Sequence, residues 1–231
     1  MNPSDDPRWA KLQVIAHGAN RLCAIDPDDP AHCLKFELPV DARTRVGARQ
    51  GLRRWLARHW PRFDENHVEL RAWQRLQQRH GDEIGERFAA CKDIVATRWG
   101  EALRCRCLRL PDGQPARSLY AHLFNGPAEY APAEYSADAL CAAVDDFEHF
   151  LIERGIPLFD LNAGNFVVLP AAAGVRLVCV DAKSTVTGKE ILPLSRWLPG
   201  LRRRKIARRA QRLRQRIRDA FARPPSDPCT V

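Results

Sequence analysis

Short apolar runs separated by turn-forming residues fill the first part of the chain. The runs at 11–16, 22–25 and 33–38 have the length of strands, and a turn cluster, Asp26–Pro30, precedes the third. Three short strands in series predict an antiparallel meander. Two later runs, at 93–98 and 102–110, predict two more strands, so the first half of the chain is expected to be rich in β-structure.

Apolar residues at helical spacing mark the regions between and after these strands. A helix is predicted from about residue 65 to 79, and the Arg/Trp-rich stretch Arg43–Arg62 is also predicted to be helical. A longer helix of about five turns is predicted to begin at Ser136, a good N-cap, and to end near Gly155.

The change from strands to helices falls at the turn Pro111–Gly113. We therefore expect a β-rich N-lobe at 1–110 and an α-rich C-lobe at 111–231, together forming one α+β domain. The 231 residues are enough for two small lobes of this kind.

The net charge of +9 comes from one segment. The stretch from Arg196 to Arg218 holds eleven Lys or Arg residues and no acid, and without them the net charge is −2. Within it a basic helix is predicted from about 201 to 221, with one apolar stripe: Ile206, Ala210, Leu213, Ile217 and Phe221. We expect this stripe to pack on the C-lobe. Arg202–Arg218 could instead bind an anionic membrane surface, an anionic substrate or RNA, and no specific nucleic acid is predicted.

The eight cysteines do not form a CxxC pair. Most lie in apolar, strand-like segments, where free cysteine behaves as a small hydrophobic residue. No secretory signal or apolar segment of roughly 20 residues is recognisable. These features predict a cytoplasmic protein with reduced cysteines.

Three oxygen-bearing side chains follow one another in the second half of the chain. Asp160 precedes Asn165 by five positions, Asn165 opens an apolar run, and a second apolar run ends at Asp181. Such runs predict buried strands, so the three polar groups are expected at the edge of a core. Carboxylate and carboxamide oxygens are ligands of Mg²⁺ when it is shared with phosphate. A surface turn is the alternative interpretation.

Two residues of the first half could complete a phosphate site. Lys35 lies between Leu34 and Phe36 in a predicted strand, and could be a solvent-facing residue or the partner of a helix glutamate. Glu69 suits that role better than Glu65 because it lies nearer the middle of the predicted helix. Gly18, between the first two strands, offers backbone freedom where a ligand would be covered.

Taken together, these residues resemble the polar site of the protein-kinase-like fold. The resemblance implies that Lys35 is the strand-three lysine and Glu69 its helix partner. It implies that Asp160 is the catalytic-loop aspartate and that Asn165 and Asp181 hold the metal.

The chain resembles one group of kinase-like proteins more closely, the bacterial YrbL family of the PhoP regulatory network. The similar segments are Gly18–Cys23, Asp26–Lys35, Asp160–Asn165, Val178–Asp181 and Glu190–Trp197. The basic helix after the metal aspartate also resembles that of the sugar kinases that phosphorylate the lipopolysaccharide core. The resemblance implies ATP and Mg²⁺ as cofactors and transfer of the γ-phosphoryl group to a hydroxyl. The expected acceptor is a small molecule, a sugar or a lipid-linked glycan.

The chain also departs from the kinase pattern. Only one glycine remains in the glycine loop, Phe159 replaces the arginine before Asp160, Asn162 replaces a lysine, and Ala182-Lys183 follows Asp181. Two other functions therefore stay open: a non-catalytic nucleotide-binding regulator, and a polyanion-binding module built on the basic helix.

Overall fold

The computed structural model describes residues 7–18, 20–38, 64–124, 135–172, 174–186 and 198–222. The chain forms two compact units. The first consists of Met1–Pro115 with Asp181–Val186, and the second of Ala116–Val180 with Thr187–Val231. The helix predicted at Arg43–Arg62 and the segment Glu190–Trp197 lie outside the described residues.

The first unit contains a five-stranded antiparallel sheet with the strand order β1-β2-β3-β5-β4. Its strands are β1 (Val14–His17), β2 (Arg21–Ile25), β3 (His32–Glu37), β4 (Cys91–Thr97) and β5 (Gly100–Arg106). The predicted three-strand meander is confirmed, because β2 pairs with both β1 and β3. The strand predicted at 102–110 begins two residues earlier and ends at Arg106.

Alternation along the strands gives the sheet two different faces. The even-numbered residues of β2 and β3 turn toward an apolar cluster in which the rings of Trp9 and Phe36 lie 5.0 Å apart between centroids. The odd-numbered residues, including Arg21, Cys23 and Lys35, share the other face, and Cys23 is directly opposite Lys35 in the register of the two strands. We call this second face, which carries Arg21 and Lys35, the polar face.

The first described α-helix, α1 (Glu65–His80), packs on the sheet. It begins where the side chain of Asp64 accepts hydrogen bonds from the backbone N–H groups of Asn66 and His67, as an N-cap should. It ends at Gly81, whose φ of 70° lies in the region that favours glycine. Val68, Ala72, Trp73 and Leu76 are buried, which confirms the predicted apolar stripe and fixes Glu69 toward the interior.

The second unit is helical apart from one hairpin. Its elements are α2 (Leu119–Phe124), α3 (Ala137–Glu153), β6 (Phe166–Ala171), β7 (Gly174–Cys179) and α4 (Pro199–Ala222). The Ser136 hydroxyl accepts a hydrogen bond from the Ala139 N–H at 3.1 Å, and Gly155 follows the helix with a φ of 64°. Both predicted ends of α3 are thus confirmed. A β-sheet unit and a helical unit give the α+β class expected from the sequence.

The basic helix α4 packs on α3 by its apolar stripe. Ile206, Ala210, Leu213 and Ile217 are buried, but the prediction was wrong for Phe221, which is 49% exposed in the last turn. Three arginines of the helix, Arg202, Arg209 and Arg214, are partly buried, and Arg214 donates to Asp145 at 2.6 Å and to Glu148 at 2.7 Å. No helix in the described part of the chain combines the length and apolar character needed to cross a membrane.

Candidate functional site

The centre of the polar face in the first unit is an ion pair between β3 and α1. The amine of Lys35 donates to Glu69 Oε1 at 2.6 Å, and the side chains are 9% and 1% exposed. The same end of α1 is tied to β3 a second time, because the Asn66 amide donates to the Lys35 carbonyl at 3.0 Å. The structure therefore brings together Lys35 and Glu69, and pairs Lys35 with Glu69 rather than with Glu65.

Both charges of this pair are stable in the folded protein. Burial by itself would raise the pKa of Glu69, but Arg21 and Lys35 outweigh it and lower this pKa from 4.5 to about 2. Burial works against the charge of Lys35 too, yet Cys105 and Glu69 raise its pKa well above the ordinary value. A charged lysine held on a strand beside a carboxylate is suited to bind an anion.

Sequence reasoning missed a third member of this group, Arg21 on β2. Its guanidinium donates to Glu69 Oε2, so both carboxylate oxygens of Glu69 are bound. It also lies 3.3 Å from Asp181 Oδ2 and 3.9 Å from Glu65 Oε2. Arg21 thus joins the predicted lysine–glutamate pair to the predicted metal aspartate.

Asp181 is the residue that opens the second segment of the first unit. Its Oδ1 accepts the backbone N–H of Lys183 at 3.2 Å and so caps the 3₁₀ helix Ala182–Thr185. The amine of Lys183 lies 3.1 Å from Asp181 Oδ2 and donates to Glu65 Oε2 at 2.9 Å. Glu65, the weaker alternative for Lys35, therefore pairs with Lys183 and Arg21.

These contacts form one linked set of three cations and three carboxylates. We call it the six-charge network; its members are Arg21, Lys35, Lys183, Glu65, Glu69 and Asp181. Its formal charges balance. The sequence contained a signal for Arg21. It lies two positions before Cys23, which is opposite Lys35, and residues two apart on a strand lie on the same face of the sheet.

Asp160 and Asn165, the residues expected to form a catalytic loop, lie in the second unit between α3 and β6. Asp160 is exposed, its Oδ1 accepts the Asn162 amide at 3.0 Å, and its carbonyl accepts the Asn165 amide at 3.0 Å. Asn162 also accepts the Gly164 N–H at 3.0 Å, while the Val180 N–H donates to the Asn165 carbonyl at 2.9 Å. The structure brings Asp160 and Asn165 together and fixes them to the end of β7.

The two expected metal ligands suit Mg²⁺ by their chemistry. Asn165 uses its amide nitrogen toward Asp160, which leaves its amide oxygen as the ligand atom. Asp181 Oδ2 lies 3.3 Å from Arg21 and 3.1 Å from Lys183. A metal ion at Asp181 would compete with Arg21 and Lys183 for that oxygen.

A second possible ligand set lies behind Lys35. Glu69, Cys91 and Cys105 bring their ligand atoms within 4.8 Å of one another, and the two sulfur atoms are 3.3 Å apart. Both oxygens of Glu69 are bound by Lys35 and Arg21, and a hydrogen bond to Cys105 together with burial raises the pKa of Cys91. These two buried cysteines beside an occupied carboxylate are a packed part of the core. None of the seven cysteines among the described residues forms a disulfide.

Gly18 differs from the expectation. Its φ is not positive, and a Cβ added there would meet the Arg21 carbonyl only at 3.9 Å. Its N–H donates to that same carbonyl at 2.8 Å, closing the turn between β1 and β2. The backbone at Gly18 therefore does not require glycine.

Comparison with known proteins gives structural neighbours only. No family model matches the chain, and no curated protein matches it. Among solved structures, it is similar to three variant forms of the kinase domain of PknI from Mycobacterium tuberculosis. Their sequence identities are 15%, 14% and 13%, with TM-scores of 0.38, 0.44 and 0.41. The alignments cover 74%, 94% and 87% of this chain and 58%, 77% and 72% of the neighbours. At this level of similarity, the roles of individual residues have to be argued from the contacts within this chain.

Proposed function

We propose that the protein is a kinase-like phosphotransferase that uses ATP and Mg²⁺. In this proposal Lys35 binds the α- and β-phosphates and is oriented by Glu69. Asn165 and Asp181 hold Mg²⁺, which neutralises phosphate charge when bound. Asp160 orients the acceptor hydroxyl and takes its proton. Most of the rate acceleration would come from positioning and charge neutralisation.

The observation that carries the proposal is the contact of Lys35 with Glu69 inside the six-charge network. Burying a lysine is costly unless it is paired, and this one is held at 2.6 Å by a carboxylate that is 1% exposed. The network also contains Asp181, which is far from Lys35 in the sequence. A pair of apolar residues would fill the same space at less cost, so the buried charges support a role in binding.

The proposed acceptor is a hydroxyl on a small molecule, a sugar or a lipid-linked glycan. A cavity of about 470 Å³ in the second unit is lined by Asn162, which donates to Asp160, and by two exposed aromatic residues of α2, Tyr120 and Phe124. Arg216 of α4 lines it as well. Aromatic rings with a few polar groups are typical of small-ligand sites, and this volume is of the usual size.

The test of this proposal is turnover of ATP labelled in the γ-phosphate, with and without added sugars and sugar phosphates. We expect Asp160→Asn to abolish transfer, because the amide cannot take the proton of the hydroxyl. Asp138→Asn is the matched control: Asp138 is also an exposed aspartate of the second unit, in the first turn of α3. Equal turnover in Asp160→Asn and Asp138→Asn would contradict the catalytic role.

A second proposed function is nucleotide binding without catalysis. It is favoured by the contacts of Asp181 with Arg21 and Lys183, and by Asn162 in the position where active kinases resembling this chain have lysine. Both functions predict that Mg·ATP raises the melting temperature. Nucleotide binding without turnover of any acceptor, and without slow ATP hydrolysis, would favour the non-catalytic function.

A third proposal concerns the basic helix. Arg203, Arg208, Arg212, Arg216 and Arg218 of α4 are exposed, whereas its apolar stripe is buried. Such a surface could bind an anionic membrane or an anionic substrate. Strongly salt-dependent binding to anionic vesicles that persists in Asp181→Asn would support this proposal, and loss of binding on that substitution would count against it.

We also propose that the chain is related to the YrbL family and that it is cytoplasmic. In the same proposal, residues 1–110 and 111–231 are the two lobes of a single domain. They depend on the sequence resemblance described above. A shared acceptor with members of that family would support the relationship.

A further inference from the structure

Arg21 is the member of the six-charge network that contacts all three carboxylates. Each carboxylate that contacts Arg21 has a second cationic partner: Glu69 has Lys35, while Glu65 and Asp181 have Lys183. Removing Arg21 from its present position would therefore leave every one of these carboxylates paired. The two lysines are backed in the same way within the network, because Arg21 also contacts Glu65, Glu69 and Asp181.

The guanidinium of Arg21 is chemically suited to phosphate. Its planar donor fork binds two oxygens of a phosphate at once, whereas an ammonium group acts as a single charge. The side chain is 13% exposed, so it is held at the border of the network and not sealed in the core. It starts from the strand β2 on the same face as Lys35.

The six-charge network has no net charge, so it offers no spare cation to a phosphate ligand. The three cations neutralise the three carboxylates, so a bound polyphosphate needs a cation that can be released from the network at low cost. A metal ion at Asp181 would repel Arg21 from that carboxylate and so favour its transfer to the ligand. The duplicated pairing allows a cation to leave without an unpaired carboxylate behind it, and the guanidinium of Arg21, which can bind two phosphate oxygens at once, makes it the cation best suited to move.

We propose that Arg21 is a phosphate-binding residue of the nucleotide site, and that it exchanges Asp181 for a phosphate group when ligand binds. The proposal rests on the proposed nucleotide function. In the kinase pattern that the chain resembles, a loop with several glycines covers the phosphates, and here the corresponding loop has one glycine. Arg21 lies three positions after Gly18, in the segment that resembles a glycine loop with a single glycine, and it supplies side-chain donors there.

Calorimetric titration with ATP, adenosine and inorganic tripolyphosphate tests this exchange. We expect Arg21→Gln to weaken ATP and tripolyphosphate binding by about 10- to 100-fold, the usual range for a hydrogen bond to a charged group, and to leave adenosine binding unchanged. Arg21→Lys should restore part of the loss. Arg104→Gln is the matched control, because Arg104 is also a strand arginine paired with a carboxylate, Asp93, but on the opposite face of the sheet.

The outcomes separate this proposal from the proposed function. ATP and tripolyphosphate affinities of Arg21→Gln within about twofold of wild type would overturn the role of Arg21, as would an equal loss in Arg104→Gln. If the wild type binds tripolyphosphate through Arg21 but no nucleotide, the phosphate role holds and the kinase-like function fails. Binding of neither ligand to the wild type would overturn both.

Discussion

The amine of Lys35 and the carboxylate of Glu69 are 2.6 Å apart, although 33 residues separate them in the chain. The pair joins the third strand of the sheet to the first described helix, and it is almost completely excluded from water. Each charge depends on the other, because neither could be buried alone without a large cost in solvation.

Glu69→Gln is expected to lower the free energy of unfolding by about 3–5 kcal/mol, the usual loss when one partner of a buried pair is removed. Two cations, Lys35 and Arg21, would then face a neutral amide. Urea denaturation at neutral pH measures the loss. Glu101→Gln is the control: Glu101 also belongs to an ion pair, with His67, but its side chain is 59% exposed and we expect a change below about 0.5 kcal/mol. Similar values for the two variants would contradict the buried pair.

The stability of the folded protein at acid pH should depend on the ionisation of Glu69. The pKa of Glu69 is about 2 in the folded protein and 4.5 ordinarily, so its charged form stabilises the fold at pH values above 4.5. This contribution should be lost as the pH falls from about 4.5 toward about 2. Denaturation midpoints measured across that interval should fall more steeply for the wild type than for Glu69→Gln. Parallel curves would show that Glu69 does not titrate in this way.

The strands and helices followed from local patterns, whereas Lys35 and Glu69 were singled out by the position of Glu69 nearer the middle of its predicted helix and by the resemblance to the kinase-like fold. Lys35 interrupts an apolar strand and Glu69 lies between buried positions of an amphipathic helix, so each residue departs from its own pattern. A buried charge needs a partner of opposite sign, so a lysine and a glutamate that both occupy buried positions on neighbouring elements are expected to pair. Alternation along β2 puts Arg21 on the same face of the sheet as Lys35, but its partners are 44 to 160 residues away and no local rule selects them.

Phe221 shows the limit of helical periodicity. It continues the spacing of Ile206, Ala210, Leu213 and Ile217, yet it is 49% exposed. Periodicity gives the direction of a side chain but not the length of the surface that receives it. The helix α4 has 24 residues and its partner α3 has 17, and a stripe is buried only where a partner is present.

Asp181→Asn is expected to have two separable effects. Without nucleotide, it should lower the free energy of unfolding by about 1–3 kcal/mol, because Arg21 and Lys183 lose charged hydrogen bonds at 3.3 and 3.1 Å. With nucleotide, it should remove the Mg²⁺-dependent part of the thermal shift. Differential scanning fluorimetry with ATP, in Mg²⁺ or in chelator, measures both.

Glu65→Gln is the control for Asp181→Asn. Glu65 shares the same two cationic partners but has no expected metal role, so the variant should lose stability and keep the Mg²⁺ dependence. An unchanged Mg²⁺-dependent shift in Asp181→Asn would show that the metal is not held by this carboxylate.

Arg214→Ala should separate the packed side of the basic helix from its exposed side. Arg214 is 13% exposed and joins α4 to Asp145 and Glu148 of α3, so we expect its removal to cost about 1–3 kcal/mol of unfolding free energy. Arg212→Ala, on the exposed side of the same helix, should change stability by less than about 0.5 kcal/mol. If Arg212→Ala weakens vesicle binding and Arg214→Ala lowers stability, one face of the helix packs on α3 and the other binds anions. Equal stability losses in the two variants would contradict this division.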